Sequence, residues 1–337
     1  PKVKFSGQKG YLKALLNNAT KTKNASGADI QRVMALVKLL LDPFNGKLEA
    51  LLRCTPVDLE KTNAILMAYL SKNIEKDIVK LVFDYSSLTK ISDHIKAFFR
   101  GRNLVNYCPY CNQDPAMYSG LASGRTVRVH QLDHFYDKSS NPLLSYSVFN
   151  LIPGDWICNA INKHDKSFDS KHYLNPYLSG FGRDMVFVPH YDTARMDMSL
   201  IELEISKKTS DEIKKRLLGP SMVLDEDNKV GNINTFALHS KYNLVHVREE
   251  AARVHRKFLN IFKNYSSNLG FLNQLPMHSM YEQYKFIYEE EIRSPFESSR
   301  FNDQRYSKMF RDIHDFILKQ DPGSDINALK DLSDNNY

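Results

Sequence analysis

Two four-residue segments, CPYC at 108–111 and DWIC at 155–158, constrain the fold of this chain most strongly. Two cysteines separated by two residues can bind one metal ion through both thiolates, and a second such pair usually completes a tetrahedral site. The second segment contains only Cys158, and Asp155 stands where its cysteine partner would fall. If both segments bind one ion, the chain must bring them together in the fold.

The identity of the fourth ligand stays open at this point. A carboxylate oxygen is an accepted zinc ligand, so Asp155 can complete a site with Cys108, Cys111 and Cys158. A nearby histidine or Cys54 could serve instead. Because Gly154-Asp155 is also typical of a turn or a helix cap, a chain that binds no zinc is the third possibility.

Composition places the chain among ordinary globular proteins. It has 337 residues, of which 42% are hydrophobic and 25% charged, and a net charge of +7 that fits a nucleic-acid partner without requiring one. Four unevenly spaced cysteines are too few for a disulfide framework, which favours a reducing cytoplasm. No apolar run approaches the ~20 residues that span a bilayer, and PKVKFSGQKGYLK lacks the apolar segment of a secretory signal. We therefore expect a cytoplasmic protein with no membrane partner.

The apolar periodicity predicts an α+β protein that is mainly helical, in four regions. Residues 1–103 are expected to form a helical domain, because GADIQRVMALVKLLLDP has helical spacing and TPVD is typical of a helix start capped by Thr55. Residues 104–175 change to short strands and turns. Residues 176–320 are expected to be mixed and mostly helical, and 321–337 to be a polar tail.

Within these regions the pattern predicts individual elements. We expect strands in TVRVHQLDH, NLIP, MVFVPHY and MSLIELEIS, and a short helix in ICNAINKHDKSF. A C-terminal helix should span about 304 to 319. A further helix should bury one apolar stripe, made of Leu244, Val247, Ala251, Val254, Phe258 and Ile261.

Four polar residues near the cysteines suggest chemistry beyond a structural metal site. Asp133 and His134 are adjacent, and Asn150 and Asn159 follow at the two ends of NLIPGDWICN. An aspartate is a hard ligand suited to Mg²⁺ or Mn²⁺, and a neutral histidine can take a proton from water. Each residue alone is more often structural. Their order between the cysteines makes the set informative.

This set resembles the HNH nucleases, which belong to the ββα-metal fold. The resemblance covers residues 107–168 and rests on CPYC, the DH of LDHFYDKS, the N of NLIP and the CN of ICN. It implies a ββα-metal core between the flanking helical regions, with a structural zinc site, or zinc knuckle, of the kind that two CxxC pairs form in many HNH proteins.

The resemblance also implies roles for individual residues in metal-dependent hydrolysis of DNA. His134 would be the general base and Asn150 would orient it. Asp133 and Asn159 would bind one Mg²⁺ or Mn²⁺ ion, which would stabilise the departing 3′ oxygen. Lys138 and Lys163 would contact phosphates if the hairpin and helix form as predicted.

Three further segments look like the C-terminal part of HNH proteins from bacterial anti-phage systems, some of which act beside an ATPase. They are LNPYLSGFG, GNINTFALHSKYN and RYSKMFRDIHDFI. An ATPase or another defence protein is therefore a candidate partner. The alternatives are a non-catalytic, zinc-stabilised module for nucleic-acid binding or assembly, and a nuclease that prefers RNA or single strands.

Overall fold

The computed structural model describes most of the chain after residue 105 and little before it. The described residues are 31, 51, 54–71, 79–80, 83, 106–116, 118–120, 126–128, 130–272 and 277–320. Most of the predicted N-terminal helical domain, including GADIQRVMALVKLLLDP, therefore lies outside the described residues, as does the predicted tail 321–337.

The described part combines helices with three two-stranded sheets, which confirms a mixed α and β architecture. The strands are β1 Tyr118–Gly120, β2 Thr126–Arg128, β3 Gln131–His134, β4 Leu151–Gly154, β5 Met185–Asp192 and β6 Asp197–Ile205, and they pair as β1–β2, β3–β4 and β5–β6. The α-helices are α1 Leu59–Ser71, α2 Asp211–Leu218, α3 Asn232–Thr235, α4 Leu238–Tyr242, α5 Val245–Leu272, α6 Met277–Ile292 and α7 Ser307–Gln320. Three 3₁₀-helices span Pro142–Tyr146, Val148–Asn150 and Ser298–Asp303, and a π-helix spans Ile157–Lys163. Among the described residues, no helix is both long enough and apolar enough to cross a membrane.

The chain divides into two compact units, and the predicted segment 104–175 contributes to both. The first unit comprises 1–104, 131–153 and 165–169, and the second comprises 105–130, 154–164 and 170–337. The domain boundaries expected from the sequence stay a prediction.

In the first unit, α1 contacts the 3₁₀-helix Pro142–Tyr146. The helix α1 begins at Leu59, three residues later than a cap at Thr55 would place it. The Thr62 N–H donates to the Asp58 carbonyl at 2.8 Å, so Asp58 holds the capping position, and the Thr55 hydroxyl donates to the Asp58 carboxylate at 2.6 Å. The core around the 3₁₀-helix includes Leu143 and Phe135, both fully buried.

In the second unit, the antiparallel β5–β6 hairpin packs against two helices, α7 on β5 and α5 on β6. The predicted stripe lines the buried face of α5 from Val247 to Ile261. Leu244 was wrongly included, because it precedes the first residue of α5 and is 47% exposed. A hydrogen bond joins α7 to the hairpin: Asp312 Oδ2 accepts the Phe187 N–H at 2.9 Å, and it also lies 2.6 Å from Lys308 Nζ in a buried ion pair within α7.

The segment TVRVHQLDH does not form one strand. Thr126–Arg128 pairs with β1 and Gln131–His134 pairs with β4, and the buried His130 lies between the two strands. Alternation of polar and apolar residues predicts an extended backbone, but it carries no information about a change of partner strand.

Candidate metal centre and the Asp133-His134 site

Cys108, Cys111, Asp155 and Cys158 meet in the second unit. One ligand atom from each of the four lies within 4.8 Å of the others, and all four residues are buried. A Zn–S distance of about 2.3 Å separates the ligand atoms of a tetrahedral site by about 3.8 Å, so the cluster has the size that a metal ion such as zinc requires. Asp155 is thus in the position that the sequence left open.

The alternative fourth ligand Cys54 is not part of this cluster. Cys54 belongs to the first unit, where its thiol donates to the Thr62 hydroxyl at 3.2 Å. All four cysteines are free thiols, in agreement with the expectation that the chain has no disulfide framework.

The first ligand pair lies in a tight turn. The Asn112 N–H donates to the Cys108 carbonyl at 2.7 Å, and Asn112 has φ = +53°, a left-handed conformation that asparagine tolerates better than most residues. The Cys108 N–H donates to the Asp114 carbonyl at 2.8 Å. This geometry directs Cys108 Sγ and Cys111 Sγ to the same side of the turn.

Residues near the C-terminal end of the described chain hold this turn in place. The Asn112 side chain donates to the carbonyls of Phe301 and Gln304, at 2.8 and 3.2 Å. The main-chain carbonyl of Asn112 accepts the Tyr306 N–H at 2.8 Å. The Tyr242 hydroxyl donates to the Cys111 carbonyl at 2.8 Å. Segments 231–243 and 301–306 therefore support the metal centre.

Asp155 has two structural roles, one for each carboxylate oxygen. Its Oδ1 accepts the Cys158 N–H at 2.8 Å and so caps the start of the π-helix, and its Oδ2 lies 3.4 Å from Cys111 Sγ. The helix-cap and ligand interpretations of the sequence are thus compatible, because Oδ1 caps the helix and Oδ2 is the oxygen that faces the thiols.

Lys241, which no motif in the sequence indicates, also contacts this cluster. Its Nζ donates to Cys158 Sγ at 3.2 Å. Burial alone would lower the pKa of Lys241, but the negative charges of Cys111, Cys158 and Asp155 raise it above its usual value. The ammonium therefore stays charged, and it would offset part of the negative charge of the cluster once the three thiols bind a metal ion as thiolates.

The thiols of the cluster respond differently to their surroundings. Burial raises the pKa of Cys108 and of Cys158 well above the usual value. Burial acts in the same direction on Cys111, but the thiols of Cys108 and Cys158, together with the Lys241 charge, lower the pKa of Cys111 well below that value. One sulfur of the cluster is thus prepared to be a thiolate before a metal ion binds.

Asp133 and His134 end strand β3 in the first unit and are both nearly buried, at 4% and 8% exposure. His134 Nε2 lies 3.1 Å from the Ser145 carbonyl oxygen. A carbonyl can only accept, so this contact places the proton on Nε2 and leaves Nδ1 as the basic nitrogen of the neutral imidazole.

Asn150 stabilises the loop that carries this contact. Its Oδ1 accepts the Tyr136 N–H at 2.8 Å, and its Nδ2 donates to the carbonyls of Tyr136 and Leu144 at 3.0 and 3.1 Å. Tyr136 follows His134 by two residues and Leu144 precedes Ser145. Asn150 therefore positions both partners of the imidazole contact through the main chain.

A second carboxylate in this loop, Asp137, was not singled out from the sequence. Burial would raise its pKa, but hydrogen bonds from Ser139, Ser167 and Ser140 lower the pKa to about 2. Asp137 is therefore an ionised residue that organises the DKSS turn, in which Lys138 is exposed.

The remaining predicted residues lie in the π-helix of the second unit. The Asn159 N–H donates to the Asp155 carbonyl at 3.0 Å, and its carbonyl accepts the His164 N–H at 2.8 Å. Lys163, at the end of the same helix, is only 2% exposed. That burial argues against the predicted phosphate contact of Lys163, since little of its side chain is accessible to a ligand.

Comparison of the chain with protein-family models, with curated proteins and with solved structures gives no match. The interpretation of both sites therefore rests on their own geometry and chemistry.

Proposed function

We propose that this chain is a metal-dependent HNH endonuclease that hydrolyses DNA phosphodiester bonds and carries a structural zinc ion. The observation that carries the proposal is the buried His134 imidazole, which the Ser145 carbonyl holds at 3.1 Å at the end of the strand that also carries Asp133. A histidine held in one tautomer can act as a general base in metal-assisted hydrolysis, and an aspartate can supply a hard oxygen ligand for the metal ion. On this proposal, β3, β4 and the π-helix are the ββα-metal core.

His134 acts as the general base in this mechanism. Nε2 carries a proton and donates it in a hydrogen bond to the Ser145 carbonyl. Nδ1 is therefore the nitrogen that accepts a proton from the attacking water. Asn150 keeps the loop in the conformation that holds the imidazole, and it is therefore a positioning residue. The exposed Lys138 would contact a DNA phosphate near the cleavage point.

Asp133 in the first unit and Asn159 in the second each offer an oxygen atom, the donor type that suits a hard divalent cation. A bound Mg²⁺ or Mn²⁺ ion would supply stabilisation of the negative charge on the scissile phosphate and the departing 3′ oxygen. Asn159 follows the zinc ligand Cys158 directly, so the zinc centre would also fix the main chain at Asn159. The structural and the catalytic ion would then have separate ligand sets, soft and hard.

The test is cleavage of supercoiled plasmid DNA with Mg²⁺ or Mn²⁺ by the wild type, His134→Ala and His172→Ala. His172 is exposed and lies outside both sites, so its variant controls for the loss of a histidine. We expect nicking by the wild type and by His172→Ala, and loss of about two to four orders of magnitude in rate for His134→Ala. Unchanged cleavage by His134→Ala would rule out the proposed base.

A second candidate function is a non-catalytic, zinc-stabilised module that binds nucleic acid or assembles with a partner. The observation that favours it is that the four ligands of the metal centre lie within one unit and include neither Asp133 nor His134. Such a module would bind its partner without any divalent cation and equally well as His134→Ala. Binding of that kind, without cleavage of DNA or RNA, would replace the nuclease assignment.

A role in anti-phage defence is the broader proposal, and it rests on the resemblance of segments such as LNPYLSGFG to the C-terminal part of HNH defence proteins. Its test is phage plating on bacteria that express the chain with a neighbouring ATPase gene. Protection that requires both genes and is lost in His134→Ala would support the role. Equal protection by His134→Ala would contradict it.

A further inference from the structure

A cavity of about 310 Å³ in the second unit is lined mainly by positive charge. It lies among α5, α6 and α7, and its lining includes four cationic side chains and one carboxylate, those of Arg253, Lys257, Arg293, Arg305 and Glu250. Its volume is at the lower end of the range of small-molecule sites in proteins. None of the residues proposed for zinc binding or hydrolysis lines it.

Local acidic groups only partly neutralise these cations. Glu250 accepts two hydrogen bonds from Arg253, at 2.9 and 2.6 Å, and Lys257 Nζ lies 3.6 Å from Glu291. Neither Arg293 nor Arg305 forms a salt bridge with any residue in the described part of the chain, and both are exposed. The cavity thus contains more positive than negative charge, and mutual repulsion of these cations would be relieved by a bound anion.

The pKa of the Glu250 carboxyl responds to the positive charges around this cavity. The hydrogen bonds from Arg253 lower its pKa, burial partly opposes the shift, and the charges of Arg305 and Lys257 lower it further. Arg305 therefore interacts electrostatically with Glu250, as Arg253 does, although Arg305 forms no salt bridge there. The positive electrostatic potential extends across the cavity.

Arg293 lines the cavity from a left-handed backbone conformation. Arg293 directly follows α6 with φ = +58°, and its N–H donates to the Glu289 carbonyl at 2.9 Å. Glycine adopts this left-handed position after a helix with less strain than any other residue. Here an arginine occupies the position and lines the cavity, where a glycine would contribute no charge.

The lining also indicates the class of ligand. Its apolar members, Ile292 and Phe310, are 2% and 3% exposed, so little apolar surface is available to a ligand. Guanidinium groups match the oxygens of a phosphate with paired hydrogen bonds. We propose that this cavity binds a phosphate group, supplied either by the backbone of DNA or by a free polyphosphate such as a nucleoside triphosphate.

The proposal does not depend on catalysis, so binding is measured without divalent cations and compared in two charge-matched double variants. Arg293→Glu/Arg305→Glu reverses the two unpaired cations of the cavity. Arg183→Glu/Arg195→Glu reverses two exposed arginines outside it and changes the net charge by the same amount. The circular dichroism spectrum of each protein is measured first to check that it folds. All four positions are exposed, so we expect normal spectra.

Two ligands distinguish the two sources of phosphate. For a short DNA duplex, measured by fluorescence anisotropy, we expect the cavity variant to bind about tenfold more weakly than the control variant, with a salt dependence lower by about one phosphate contact. For inorganic pyrophosphate and ATP, measured by calorimetry, we expect loss of binding in the cavity variant alone if the source is a free polyphosphate. Weaker binding of either ligand by the cavity variant alone supports the site and shows whether DNA or a free polyphosphate supplies the phosphate group. Equal affinities of the two variants for every ligand, or no binding by the wild type, would overturn it.

Discussion

Lys241 Nζ lies 3.2 Å from Cys158 Sγ, so a cation contacts the metal centre from outside the ligand set. With zinc bound, three thiolates and a carboxylate leave an excess of negative charge in a buried site, which is unfavourable without compensation. The ammonium supplies that compensation through a charge-assisted hydrogen bond.

The variant Lys241→Met should keep the volume of the side chain and lose its charge. We expect zinc to bind about 10- to 100-fold more weakly, which is the usual effect of removing an outer-shell partner. Competition with a chromophoric chelator measures the affinity. Lys215→Met, on the exposed side of α2, is the matched control and should bind zinc like the wild type. Equal affinities of the two variants would contradict the role of Lys241.

Substitutions of Asp155 should separate its two roles. Asp155→Asn keeps an oxygen for the Cys158 N–H but is a poor zinc ligand, whereas Asp155→Cys supplies a ligand and removes the cap. We expect zinc content to fall in Asp155→Asn and to persist in Asp155→Cys, with about 1 kcal/mol of unfolding free energy lost from the missing cap. Asp155→Ala should lose both.

Metal analysis and thermal unfolding, each with and without a chelator, measure these outcomes. Full zinc content in Asp155→Ala would show that the carboxylate is not a ligand.

The variant Asn150→Ala should destabilise the first unit. The Asn150 side chain is fully buried, and its removal leaves the Tyr136 N–H and the carbonyls of Tyr136 and Leu144 without their partner. We expect a loss of about 2 to 4 kcal/mol in the free energy of unfolding, together with slower cleavage of DNA. Urea denaturation measures the first effect. The exposed Asn228→Ala is the control and should lie within about 0.5 kcal/mol of the wild type.

The stability of the second unit should fall in mild acid because of His314. This residue is fully buried between the Tyr284 hydroxyl and the Asp315 carboxylate, with its Nδ1 2.6 Å from Asp315 Oδ1. Burial lowers the pKa of His314 below its usual 6.5, although Asp315 opposes the shift. The unfolded chain therefore binds a proton that the folded chain does not as the pH falls below about 6.5, and the free energy of unfolding decreases by up to about 1.4 kcal/mol per pH unit.

His255 should add to this slope, because burial and the Arg256 charge lower its pKa as well. Urea unfolding between about pH 5 and about pH 7.5 measures the dependence. The variant His314→Gln cannot titrate and should show a shallower slope, whereas the exposed His172→Gln should keep the wild-type slope. Identical slopes in all three proteins would contradict the assignment to His314.

The sequence predicted the four residues of the cluster, because each of its two pairs depends on residues that are only three positions apart. The spacing of Cys108 and Cys111 and the similar spacing of Asp155 and Cys158 place each pair at one end of a turn, and the structure brings the pairs together. Lys241 could not be predicted in this way, since it lies 83 residues from Cys158 and a lysine next to a thiolate has no sequence signature.

Predictions that depended on burial were less secure. Lys163 is polar and at the end of a short helix, which favours exposure, yet tertiary packing buries it. Leu244 has the spacing of the α5 stripe but precedes the helix, where the periodicity no longer determines which side faces the core. Asp133, His134 and Asn150 were found because a resemblance named them. Their roles in hydrolysis stay a prediction.

The two ligand pairs of the metal centre lie on either side of the stretch 112–154 in the chain, and Cys111 and Asp155 are 44 residues apart. A bound ion would thus close this stretch into a ring, and a cross-link of that length lowers the entropy of the unfolded chain by an amount equivalent to about 4 kcal/mol. A protease that cuts once within the ring would leave two fragments held together by the ion and by contacts such as the hydrogen bonds of Asn112 with Phe301 and Tyr306. They should migrate as one species in a native gel, and chelation of the metal should lower the urea concentration at which they separate.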